Sequence, residues 1–163
     1  MGLDVRAYSR LRLERSIPYL PDNAGPSAIW IKPNPHFPGR ADDLTLGVYR
    51  LNGSGTSFHF HAGSCGGYND WRRKLATLQN VECSAVWAMK GQGPTFPFRE
   101  LIDFADSDGV IGPKTARKLG NDFAKMKRAA LSTFAGDDYF LELYDYFRAA
   151  FLIARHDGAV VFS

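Results

Sequence analysis

The segment Gly63-Ser64-Cys65-Gly66-Gly67-Tyr68, followed by Arg72 and Arg73, combines three features that suit an anion. Glycines let a backbone come close, a helix start offers N–H groups and the positive end of its dipole, and guanidinium forks match phosphate or carboxylate. Tyr68 and Trp71 add ring faces, and Arg40, in a proline-bounded loop, joins the site if that loop folds over it. The predicted ligand-binding set is therefore Gly63, Ser64, Gly66, Gly67, Tyr68, Arg72, Arg73 and Arg40, for a small nucleotide-like anion. The segment lacks the Gly-Lys-Ser/Thr ending of a P-loop and the spacing of a Rossmann fingerprint. A packed, capped helix start would explain the same residues.

Other residue types point to catalysis or metal binding. Cys65 with His61 and an acid such as Asp70 makes a formal nucleophile, base and orienting group. His59 and His61 stand two apart on a predicted strand and so point the same way, as ligands on one face must, with Cys65 or His36 as a third. The competing reading puts both histidines on a solvent face opposite Phe58 and Phe60. Asp106-Ser107-Asp108-Gly109 resembles the middle of a calcium loop, but that register puts Phe104 first and Thr115 twelfth, where an acid and a bidentate Glu are needed. A turn leading to the helix entered at Pro113 is the simpler reading. Glu100, Asp103, Asp106 and Asp108 have no spacing that specifies a reaction. No catalytic residue, metal or cofactor is predicted.

These residues need a scaffold, and 163 residues with 45% hydrophobic and 13% aromatic content suffice for one. A single domain over residues 1–163 is expected. Leu3, Val5 and Ala7 alternate with Asp4, Arg6 and Tyr8, and Leu11 and Leu13 continue the alternation, predicting one or two strands; Ala28 to Ile31 predicts another. Leu46–Leu51 and Ser57–His61, separated by Asn52-Gly53-Ser54-Gly55, are expected to form a hairpin. Tyr68, Trp71, Leu75 and Leu78 predict a short helix capped by Asn69. Val81–Met89 reads as a strand and the glycines and prolines after it as a long loop. Leu119, Phe123, Met126, Ala130 and Phe134 mark a helix entered at Pro113. Phe140, Tyr144, Phe147, Phe151 and Ala154 mark a second helix starting near Asp137, before a last strand at Ala159–Phe162. The expected fold is α+β: a mostly antiparallel sheet from the N-terminal half, packed against two long C-terminal helices and one short helix.

Charge and cysteine content bound the setting. Twenty Lys and Arg against 17 Asp and Glu give +3, short of the signature of a dedicated nucleic-acid binder. Lys114, Arg117, Lys118, Lys125, Lys127 and Arg128 form the one basic run, with Asp122 as its single acid, and any nucleic-acid binding there is expected to be non-specific. Two cysteines, Cys65 and Cys83, are too few for a disulfide scaffold. No segment reaches the length of a membrane span, and the sequence opens without the apolar run of a secretion signal. A reducing cytoplasm is expected.

Several segments together resemble a family of small bacteriophage and prophage proteins. They are Met1-Gly2-Leu3-Asp4-Val5-Arg6-Ala7-Tyr8, Phe37-Pro38-Gly39-Arg40-Ala41-Asp42, Ala62-Gly63-Ser64 with Gly67-Tyr68-Asn69 and Trp71-Arg72, Phe104 with Asp106, Gly109-Val110-Ile111-Gly112-Pro113, Lys118-Leu119, Asp122-Phe123 and Asp157-Gly158-Ala159-Val160. The resemblance spans nearly the whole chain and brings no reaction with it. The family does not generally carry Cys65, His59 or His61, which weakens the triad and metal readings. It implies a host-cytoplasm setting and an accessory role. The expected function is a non-enzymatic binding protein antagonising host defence, whose partner is a small anionic ligand or a host defence protein. The rival is an enzyme acting on a nucleotide or nucleic acid.

Overall fold

The apolar alternation of the N-terminus becomes the centre of a sheet. A computed structural model describes residues 2–163 and has strands β1 (Gly2–Tyr8), β2 (Leu11–Arg15), β3 (Ile29–Ile31), β4 (Gly47–Leu51), β5 (Ser57–Ser64), β6 (Gly109–Ile111) and β7 (Ala159–Phe162). The helices are α1 (Cys65–Thr77), α2 (Cys83–Ala88), α3 (Arg99–Ile102), α4 (Pro113–Thr133) and α5 (Asp138–Ala154). One antiparallel sheet runs β5-β1-β7-β6 and a second runs β2-β4-β3. The fold is α+β, with the two long C-terminal helices expected. No helix among the described residues is long and apolar enough to cross a membrane.

The predicted hairpin does not form. β5 pairs with β1 (Tyr8 opposite Ser57) and β4 pairs with β2 (Leu11 opposite Leu51), so β1–β2 and β4–β5 run as one bent, two-stranded ribbon joining both sheets. Arg10, at φ 51°, turns one side, and residues 52–56 take up the slack on the other. The Ser9 hydroxyl pins the bend by accepting the Thr56 N–H at 2.9 Å. Residues 80–98 also differ from expectation: Cys83–Ala88 is helical, because Cys83 and Val86 alone face inward. Gly109–Ile111 is a strand whose three residues are all buried, where a turn was expected.

The first sheet is covered on one face by helices. Val5, Ala7, Phe60, Ile111, Val160 and Phe162 meet Tyr68 and Trp71 of α1, Phe123 of α4 and Phe140, Phe147 and Phe151 of α5 in one core. On the opposite face, Val110 and Ala159 join Ile29, Ile31 and Tyr49 of the second sheet in a smaller cluster. Gly158 lets α5 turn back into β7, since a Cβ there would overlap the Tyr8 carbonyl.

Asp137 caps α5, accepting the Phe140 N–H at 3.1 Å and an ion pair from Lys74. The Lys74 bond first, and the Phe140 N–H second, hold its carboxyl below the usual value. Its stabilising effect is therefore complete above the unfolded carboxylate range, near pH 4, and is lost as the pH falls through the lower folded value. Asp137→Ala is expected to cost about 1 kcal/mol at neutral pH in urea denaturation, with the difference from wild type shrinking in acid.

Candidate functional site

The predicted anion site is assembled as a helix start. Ser64, not Asn69, is the N-cap of α1, its hydroxyl accepting the Gly67 N–H at 3.1 Å. Gly63 adopts φ 83°, and the Tyr139 hydroxyl, donating to the Ala62 carbonyl at 3.1 Å, sits where a Gly63 Cβ would lie. Gly66 is exposed and Gly67 half-buried.

The cations of this set point elsewhere. Arg72 is 3% exposed and donates to the carbonyls of Ile102 and Phe104 and to the Asn69 side chain, with its guanidinium against the Tyr68 and Trp87 rings. Tyr68 is fully buried, and burial pushes its hydroxyl pKa well up. Arg73 is exposed and paired with Asp70. Arg40 donates to the carbonyls of Pro38, Glu100 and Asp103 and lies 3.6 Å from the Asp103 carboxylate. Burial lowers the Arg40 pKa, and Asp103 and Glu100 oppose that effect. Arg40, from the loop 38–43, and Arg72, from α1, thus grip the same segment, residues 100–104, within and just after the four-residue helix α3. Spacing contained a signal for Arg72: positions 68, 72, 75 and 76 share one helix face, and the other three are core.

The residues weighed for catalysis are also dispersed. His61 Nδ1 lies 3.0 Å from Asp4, Asp70 belongs to Arg73, and the Cys65 thiol donates to the Asp106 carbonyl at 3.4 Å. His59 stands opposite Arg6 on the exposed side of β5, as the Phe58 and Phe60 alternation implied. No group of three or more His, Cys, Asp and Glu among the described residues could hold a metal ion. Neither cysteine is in a disulfide.

A cleft missed by the sequence reading is better formed. It measures about 520 Å³ and lies between the loop 38–43, the segment 91–100 and the first turns of α4, lined by Arg40, Arg99, Lys114 and Lys118 beside Asp42, Asp43 and Glu100. Its wall is tied together: the Gly112 N–H donates to the Arg40 carbonyl at 2.7 Å, the Thr115 hydroxyl to the Gly39 carbonyl at 3.0 Å, and the Lys114 N–H to the Asp43 carboxylate at 2.8 Å. Asp43 therefore already occupies the anion position at the N-terminus of α4. Gly112 is required there because a Cβ would strike the Asp43 carboxylate. Lys118 binds Glu100 at 2.6 Å and Asp122 at 2.8 Å, and Arg99 donates to the carbonyls of Gln92 and Gly93 with its Nε left unpaired. Of the lining cations, the Lys114 ammonium alone has no partner among the described residues.

No family model, curated protein or solved structure matches this chain. The cleft is thus interpreted from its own chemistry. Its volume is within the range of small-molecule sites, and its charges are mixed, four cations against three carboxylates. Such a wall can orient a ligand that carries an anionic group and polar donors together. No Cys or His lines it to serve as nucleophile or base.

Proposed function

We propose that this chain is a bacteriophage-encoded accessory protein of the host cytoplasm that binds its target without transforming it, antagonising host defence by sequestering a nucleotide-like anionic signal. The observation that carries this reading is the cleft at the head of α4, with an unpartnered Lys114 ammonium among Arg40, Arg99 and Lys118. The phage setting is supported by the motif resemblance, whose Pro38-Gly39-Arg40 and Lys118 residues wall the cleft. The predicted α1 site retains only Ser64, Gly66 and Arg73 as exposed groups, so the ligand is assigned to the α4 cleft.

Calorimetric titration with a panel of linear and cyclic nucleotides tests this. At least one is expected to bind, and Lys114→Glu is expected to weaken it at least about tenfold, the scale of a lost charge-assisted hydrogen bond. The Lys114 side chain is exposed, so the variant should melt as wild type does. If no nucleotide binds, signal sequestration is wrong and the target is a defence protein. If Lys114→Glu binds as wild type, the cleft is not the site.

A further inference from the structure

The basic run of α4 has an arrangement that composition alone does not reveal. Lys114, Arg117, Lys125 and Arg128 are all exposed, whereas Lys118 and Lys127 are turned aside and paired, Lys118 with Glu100 and Asp122 and Lys127 with Asp145. At 100° per residue the four exposed cations fall within an arc of about 80°, and at 1.5 Å per residue they extend over about 21 Å. None has an acidic partner among the described residues; the Arg117 guanidinium donates to the Arg155 carbonyl at 3.3 Å, which brings the end of α5 and its own arginine alongside. Asp122, the single acid of α4, is buried and accepts the Phe98 N–H.

We propose that this face of α4 binds the phosphate backbone of a nucleic acid without reading its bases. The stripe is linear, two cation pairs about 12 Å apart along the helix axis, which suits an extended polymer of repeated charge. Asn121 within the arc and Ala124 at its edge are the other exposed residues between Lys114 and Arg128, and the exposed Leu131 lies beyond them, so the stripe itself lacks the large apolar or aromatic anchors that a protein interface centre or a membrane surface would use. The stripe shares Lys114 with the nucleotide cleft, and Arg117, Lys125 and Arg128, which lie outside the cleft, are the residues that test it separately.

Fluorescence polarisation with two labelled 20-base-pair duplexes of unrelated sequence, at salt concentrations from about 25 to 200 mM, tests it. Both duplexes are expected to bind alike, with log affinity falling against log salt at a slope of about −3 to −4 for three or four neutralised phosphates. Lys125→Ala with Arg128→Ala is expected to reduce that slope by about two and Arg117→Gln alone by about one, while the exposed-strand control Arg6→Ala with Arg12→Ala leaves it unchanged. Alanine favours a helix, and thermal melts report that the variants stay folded. No binding at the lowest salt, a slope insensitive to the α4 variants, or a more than tenfold preference between duplexes overturns the proposal. So does equal competition by polyglutamate, which would assign the face to an acidic protein.

Discussion

Arg72→Ala is expected to lower stability by about 3–5 kcal/mol, the scale of removing one partner from a buried, charge-assisted network. The side chain satisfies the Ile102 and Phe104 carbonyls and the Asn69 amide from inside the fold, and its guanidinium fills the space between Tyr68 and Trp87. Removing it leaves buried acceptors dry and opens a gap against two rings. Arg72→Lys should recover only a fraction, since a single ammonium cannot span acceptors on two segments. Urea denaturation measures both. A variant that keeps the wild-type midpoint and instead loses a ligand would restore the anion site at α1.

Phe147→Ala is expected to cost about 3–5 kcal/mol through the cavity it leaves. Its ring is the hub of the aromatic core, 4.6 Å from Trp71, 5.0 Å from Phe60 and 5.7 Å from Tyr68, with Phe151 and Phe162 at 6.1 Å. The cavity therefore adjoins α1, β5 and β7 at once, and these elements cannot all move in to fill it. Leu131→Ala serves as the control, because that side chain is 46% exposed and should change stability little. A wild-type denaturation midpoint for Phe147→Ala would falsify the assignment of α5 to the centre of the core.

The elements whose signals are local were legible. Phe58 and Phe60 alternate with His59 and His61, and the strand sets the phenylalanines inward as that alternation requires. The apolar faces of α4 and α5 and the start of α5 near Asp137 were likewise readable. Pairing was not. Two apolar segments joined by Asn52-Gly53-Ser54-Gly55 satisfy a hairpin rule, yet their partners lie at the start of the chain, where no local pattern points. Residues 83–88 were ambiguous because a short apolar run fits strand and helix equally.

Site residues followed the same division. The helix after β5 was expected, but it starts at Cys65 with Ser64 as its cap, earlier than the Asn69 cap that was read from the sequence. Arg40 and Arg72 were read as donors to a ligand because a guanidinium fork matches phosphate or carboxylate. Only the fold reveals that the carbonyls of residues 100–104 need both. The α4 cleft is built from three segments, around residues 40, 95 and 115, which no spacing rule connects.

The order of strands in the first sheet bears on how the chain is made. β1 lies between β5 and β7, so the opening strand pairs on one edge with residues 57–64 and on the other with residues 159–162. During synthesis Val5 and Ala7 are made early, but their neighbour on one edge, residues 159–162, is made only several seconds later at ordinary rates. Completion of the sheet therefore waits on a pairing of very long sequence separation, and until it forms the open edge of β1 is exposed to other strands.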